Sequence, residues 1–312
     1  MNNRYNSISL ITDFPDFSVP GFDIDAYNNF FRTSNNIINA RSSDIAYNEH
    51  WGCLSIKCAF GGNEFYKSQK RVYAVNDQNF LILNEGQYYS SYIFSTQPVE
   101  SFTLNFTSTF AQEVIHSTKS SDKEILDDPF PGNKYIPEFV EKLYQHNNTI
   151  SPLLFTIREL SKNFNVNRHL IAELYYPLLE QLFFLHKEIK TEINNITASR
   201  LSTRKELYKR LHYSKDYIDS CYSLPVTLEE LSLISLMNTA HFLRQFKKHF
   251  HITPYQYLMH KRIQAAAGLL KNTNLTVTEI CTAVGYEDPS SFTKLFKKNY
   301  GLNPEIYRNH IL

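Results

Sequence analysis

The stretch HFLRQFKKHFHITPYQYL, from His241 to Leu258, recurs fifty residues later in recognisable form as SFTKLFKKNYGLNPEIYR, from Ser291 to Arg308. A unit spelled twice near one end constrains that end to two similar supersecondary structures. Each copy is preceded by a capping-box pattern, Thr227 with Glu230 and Thr276 with Glu279, opening the short apolar runs LEELSLIS and VTEICTAV. A turn follows, LMN in the first copy and GYED in the second, where Gly285 can take the positive φ that lets two helices meet steeply. The next helix starts at the cap Asn238 in one copy, and at Asp288 with Pro289 in the first helical position in the other. The second turn is one residue longer, so the offset between copies is 49 before it and 50 after it. The pattern predicts helix, turn, helix, twice over.

Within each second helix one apolar stripe stands out, Phe242 with Phe246 and Phe292 with Phe296, four residues apart and therefore on one side. The remaining surface carries Ala240, His241, Leu243, Arg244, Lys247 and Lys248 in the first copy, and Ser290, Ser291, Thr293, Lys294, Lys297 and Lys298 in the second. Such a polar, basic face suits the major groove of DNA, early residues meeting base edges while Lys and Arg reach phosphates. Between the copies, TPYQYLMHKRIQAAAGLLKN offers Thr253 as cap and Pro254 at the first position of a helix over 254–271. At 1.5 Å per residue that rod is about 27 Å long. Two probes held apart by it fit successive major grooves on one face of a duplex, which recur about every 34 Å.

Charge runs the same way. Net charge is −6 over residues 1–130, +3 over 131–223 and +4 over 224–312. A polyanion would be met at the C-terminal end, whereas a non-specific DNA coat would be basic throughout. The chain shows no serine-histidine-aspartate spacing, glycine-rich phosphate loop or paired carboxylate site, so no enzyme, cofactor or metal is expected. Cys53, Cys58, Cys221 and Cys281 have no zinc spacing and read as buried thiols. MNNRYNSISLITDFPDF is not a signal sequence, and no run approaches the roughly 20 apolar residues of a membrane span. A soluble, cytoplasmic protein without membrane contact is expected.

Residues from about 36 to 110 read as short strands, including CLSIKCAF and ESFTLNFTS, punctuated by turns at Gly61–Asn63 and Asn84–Gln87. From Ile136 onward the spacing turns helical, through PEFVEKLYQHN, SPLLFTIRELSKNF and NRHLIAELYYPLLEQLFFLHKEIKTEI, with Pro177 a kink or boundary. Trp51, Phe60, Tyr73, Phe80, Tyr88, Tyr89, Tyr92 and Phe94 either enclose a small organic effector or simply form core. Before residue 145 only His50 and His116 occur, too few for a cupin metal cluster.

From about Lys205 to the end, the chain resembles the DNA-binding domain of the AraC/XylS family of bacterial transcription regulators. RIQAAAGLL and VTEICTAVGYEDPSSFTKLFKKNYGLNPEIYR carry the resemblance, with the family's Ile280, Gly285, Tyr286, Ser291, Phe292, Phe296, Gly301 and Pro304 in place. Two departures stand out: the first turn lacks a glycine, and Leu243 sits where the family often has a polar base reader. The resemblance implies a multi-domain α+β chain: a cupin-like β-barrel for sensing or dimerisation over 1–133, a helical connecting segment over 134–204, and an all-α domain over 205–312 whose two helix-turn-helix motifs are joined by a linker helix. It implies recognition helices near 239–249 and 289–299. Base contacts would come from Ala240, Leu243, Arg244, Ser290, Ser291, Thr293 and Lys294, with Lys247, Lys248, Lys297 and Lys298 on phosphates. Double-stranded DNA, a second copy of the chain, RNA polymerase and a small-molecule effector are the expected partners.

Overall fold

A computed structural model describes residues 8–17, 19–68, 71–119 and 136–311. The chain falls into two units, Met1–Asn195 and Ile196–Leu312. The expected boundary at 133/134 lies outside the described residues.

The first unit is built on eight strands, β1 (Ser9–Ile11), β2 (Asn36–Gly52), β3 (Leu54–Phe60), β4 (Glu64–Ser68), β5 (Arg71–Val75), β6 (Asn79–Leu83), β7 (Gln87–Phe106) and β8 (Leu143–Gln145). They form one sheet, ordered β1-β2-β7-β3-β6-β8, with a β4–β5 hairpin added on β7. β2 and β7 pair antiparallel along most of their length, with register breaks at Ser42/Asp44 and Tyr47/His50. β7 then meets β4 through Ser90–Tyr92 and β3 through Glu100–Phe106, so one strand serves two neighbours either side of its irregular middle. Pro98 sits in that middle, where a missing N–H costs no ladder bond. Among the described residues no pairing closes the sheet into a ring, so the architecture is an antiparallel-rich sheet rather than an established barrel.

Two helices, α3 (Ser151–Ser161) and α4 (Phe164–Asn194), bury apolar faces that include Leu154, Ile157, Ile171, Tyr175 and Leu178. They are pinned to β2 by Asn39 Nδ2 donating to Ser161 Oγ at 3.0 Å and Tyr175 OH donating to the Asn36 carbonyl at 3.0 Å. α1 (Ile24–Thr33) and α2 (Ser108–Lys119) complete the unit. Two helical expectations need correction. Pro177 makes no boundary: it lies inside α4, where Tyr175, Leu178, Leu179 and Leu182 are buried on either side of it, so packing outweighs the lost hydrogen bond. PEFVEKLYQHN is not a helix, since Leu143 and Tyr144 pair with Leu81 and Phe80 to add a strand at the edge of β6.

The second unit is helical: α5 (Leu201–Cys221), α6 (Leu228–Ile234), α7 (Thr239–Phe250), α8 (Pro254–Asn272), α9 (Val277–Ala283), α10 (Pro289–Tyr300) and α11 (Pro304–Ile311). Two small cores are strung along α8. Leu258, near its start, joins Leu211, Ile218, Leu231, Phe242 and Phe246. Ile263, Ala266, Ala267 and Leu270, further along, join Ile280, Val284, Phe292 and Phe296. Each helix-turn-helix therefore owns a core, and α8 belongs to both.

Candidate nucleic-acid interface

The two motifs are built by local capping. Thr276 Oγ1 accepts from the Glu279 N–H at 3.2 Å while the Glu279 carboxylate takes the Thr276 N–H at 2.7 Å, a full capping box that holds the Glu279 carboxyl below its usual range. Thr227 caps α6 in the same sense, but the reciprocal half of the expected box is replaced: Glu230 accepts instead from Tyr217 OH at 2.5 Å. Asn238 accepts from the His241 N–H at 2.8 Å to start α7. Asp288 accepts from the N–H groups of Ser290 and Ser291 to start α10. α8 opens on a capping box of Thr253 with Gln256.

The turns match in backbone and differ in residue. Gly285 has φ +85 and Leu236, 49 positions earlier, has φ +52; both precede a residue whose N–H reaches back five positions, Tyr286 to Cys281 and Met237 to Ser232. The helix ends repeat the contrast, with Gly301 at φ +75 and His251 at φ +62. The first copy thus keeps the left-handed geometry without the glycine that makes it cheap.

On α7 and α10 Phe242, Phe246, Phe292 and Phe296 are fully buried, while Ala240, Leu243, Arg244, Lys247, Lys248, Ser290, Ser291, Lys294, Lys297 and Lys298 are exposed and Thr293 is half-buried. At 100° per residue, Ala240, Leu243, Arg244, Lys247 and Lys248 occupy an arc of about 140° opposite the Phe pair, and their counterparts fifty residues on do the same. Three of these groups are already engaged. Arg244 Nη2 lies 3.2 Å from His241 Nδ1. Lys248 Nζ donates to Thr197 Oγ1 at 2.7 Å. Ser291 Oγ donates to Asp288 Oδ2 at 2.6 Å, and this bond leads the causes that hold the Asp288 carboxyl below its ordinary value.

Sequence reasoning passed over His241 as a site residue, although it is the first-copy equivalent of Ser291 and touches Arg244; the fifty-residue offset alone would have found it. It also missed the polar ties that hold the second unit together. Asp219, 1% exposed at its side chain, accepts from Lys215 at 2.8 Å and Tyr257 OH at 2.8 Å, with Lys261 Nζ at 3.5 Å. Burial pulls the Lys215 ammonium toward neutrality, but the Asp219 and Asp216 carboxylates outweigh it and raise its pKa. Arg262 of α8 donates to the carbonyls of Tyr222 and Leu224 at 2.7 and 2.9 Å, closing the end of α5. These contacts tie α5 to the rod between α7 and α10.

A family model described as a helix-turn-helix domain matches residues 234–310. The chain is also 30% identical over 100 residues to the lactose operon transcription activator of Staphylococcus xylosus, covering 32% of this chain and 36% of that protein. It is 34% identical over 84 residues to the MmsAB operon regulatory protein of Pseudomonas aeruginosa, covering 27% of each. Residues 234–310 are an AraC-type helix-turn-helix domain. A solved C-terminal domain of the two-component response regulator yesN from Fusobacterium nucleatum is 35% identical, covers 30% of this chain and 93% of that one, and superposes with a TM-score of 0.29. The chain spans well under half the length of the curated relatives it matches. Within this part of the chain, α7 and α10 are the second helices of the two helix-turn-helix units. Among the described residues, no helix is long and apolar enough to cross a membrane.

Proposed function

We propose that this protein is a sequence-specific transcription regulator that lays α7 and α10 into successive major grooves of one duplex. The observation that carries the reading is the duplicated outward face: the same positions on both helices are solvent-facing and rich in Arg, Lys, Ser and Thr, while each Phe pair anchors its helix on α8. In this reading Arg244 donates to guanine, Lys294 and the Ser290, Ser291 and Thr293 hydroxyls read the second half-site, and Ala240 and Leu243 contact thymine methyls. Lys247, Lys248, Lys297 and Lys298 lie on phosphates.

The division into segments 1–133, 134–204 and 205–312 assigns sensing and dimerisation to the first two. A cupin-like wrapping of the sheet would enclose an effector, and a homodimer would place four recognition helices on a longer operator. Contact with RNA polymerase and a cytoplasmic location follow from the regulatory role. Selection of bound duplexes from a random pool, followed by gel-shift titration, tests the core of the reading. Arg244→Ala and Lys294→Ala are each expected to weaken the selected site by about 1 to 3 kcal/mol and relax base preference, whereas Lys248→Ala weakens all DNA equally. Equal losses on selected and scrambled DNA for Arg244→Ala would remove its base-reading role.

A further inference from the structure

The sheet unit contains a charged pair that DNA binding does not use. Lys57 on β3 and Glu64 at the start of β4 are each 4% exposed. Lys57 pairs across the sheet with Thr103, which pairs in turn with Ile38, and Tyr66 stands opposite Ser91 on the neighbouring ladder. These side chains, with His50, Tyr89 and Phe17, line a small cavity of about 40 Å³.

Neither charge is satisfied by the other. Lys57 Nζ donates to Tyr89 OH at 2.9 Å and lies 5.0 and 5.7 Å from the ring centroids of Tyr89 and Tyr66. Glu64 is hydrogen-bonded by Ser101 and Tyr66, yet its Oε2 has no hydrogen-bond partner among the described residues. Burial raises the Glu64 carboxyl and lowers the Lys57 ammonium, and each feels the other's charge only at a distance. A buried carboxylate oxygen left without a donor is costly, and a site that needed only packing would be filled by apolar groups.

What relieves both groups can be stated chemically. A lone anion would satisfy Lys57 and be repelled by Glu64; a lone cation would do the reverse. A neutral polyol would hydrogen-bond to both but restore neither charge. The cavity is small, about 40 Å³, so its occupant must be among the smallest molecules that carry both charges. The Phe17 ring packs 5.0 Å from Tyr47 and 5.2 Å from Tyr27.

We infer that this cavity binds a small zwitterion of the α-amino-acid type, its ammonium donating to Glu64 and its carboxylate accepting from Lys57. The further step, that occupancy changes DNA affinity, rests on the regulator reading above.

The test is calorimetric titration of the full chain with glycine and alanine, with glycolate and methylammonium as single-charge controls. The one tryptophan, Trp51, adjoins His50 and gives an independent fluorescence signal. Glycine or alanine should bind at least about tenfold tighter than either control, and Glu64→Gln and Lys57→Met should each weaken that binding at least about tenfold. Without ligand, Glu64→Gln should melt no lower than the parent, since it removes a buried charge; this shows that lost binding is not lost folding. Equal binding of a single-charge control, or a cavity that takes up water only, overturns the assignment. Gel shifts on the selected duplex separate the two levels. Bound glycine with unchanged DNA affinity leaves the site standing and removes the effector role, while specific DNA binding without amino-acid binding removes the site and leaves the regulator.

Discussion

Gly285→Ala isolates what glycine contributes to the second turn, because the first turn performs the same bend with leucine. At φ +85, a residue with a Cβ loses about 1–2 kcal/mol, the ordinary cost of left-handed backbone. The added carbon would also sit 2.7 Å from the Ser223 carbonyl oxygen and 3.0 Å from Arg262 Nη2, in the contact that ties α8 to the end of α5. Overpacking against backbone costs about 1–3 kcal/mol, and alanine recovers about 0.5 kcal/mol from a less flexible unfolded chain. The balance is about 2–4 kcal/mol. Hydrogen exchange followed by mass spectrometry reads this locally: peptides spanning Val277–Tyr300 should exchange roughly 30- to 800-fold faster, with peptides spanning Leu228–Phe250 unchanged. At Leu236 the reverse change should be nearly neutral. Relief of φ +52 is offset there by the freedom glycine gains when unfolded and by the partial burial lost from a side chain that is 68% exposed. A Gly285→Ala chain that exchanges like its parent would refute the claim that conformation and space together fix glycine at this turn.

Other consequences can be measured on the same protein. Glu100 is buried between Arg158, which meets both its oxygens at 2.7 and 2.8 Å, and Arg41 at 2.8 Å. Glu100→Gln should lower stability by about 2–3 kcal/mol in urea unfolding near pH 7. Hydrogen bonding from Arg158 holds the Glu100 carboxyl below its ordinary value, so its contribution is present above the unfolded carboxylate range and fades as pH falls through the lower folded value. The parent should lose stability over that acid window, and Glu100→Gln should lose less. Asp219→Asn should cost about 3 kcal/mol, because Lys215 and Lys261 would lose their shared carboxylate; thermal unfolding of the second unit is the readout. Asp288→Ala removes the α10 cap and frees the Ser291 hydroxyl, and should cost about 1 kcal/mol in exchange protection confined to that helix.

The sequence was most readable where structure is local and written twice. Thr276, Asp288 and Thr253 act within three residues of themselves, so their caps follow from spelling alone, and the internal repeat supplies the alignment that a single motif lacks. Where copy one departs from copy two the signal fades: nothing in LMN announces a left-handed leucine, and His251 gives no hint that it ends a helix as Gly301 does. The sheet unit was harder for a different reason. β8 forms because Tyr144 meets Phe80 across 64 positions, and three paired residues leave too short a trace to compete with an apparent helical period. α4 runs through Pro177 because its buried face lies on the sheet, a tertiary preference that outranks a local one. The aromatics that read either as a ligand enclosure or as core divide, with Phe60, Tyr73 and Phe80 in the core and Phe94 81% exposed. Of that set only Tyr89 reaches the cavity, and its companions there are Lys57 and Glu64, two residues that composition assigns to the surface. Alternation places Lys57 on the same face as Ser55 and Ala59, but it cannot say which strand will cover that face. The covering strand, β4, also brings the carboxylate, so the chemistry of the cavity arises from a pairing of β4 with β7 more than twenty residues away in the chain. Local order and duplication fix the DNA face; only the long-range register creates the buried charge that a ligand could answer.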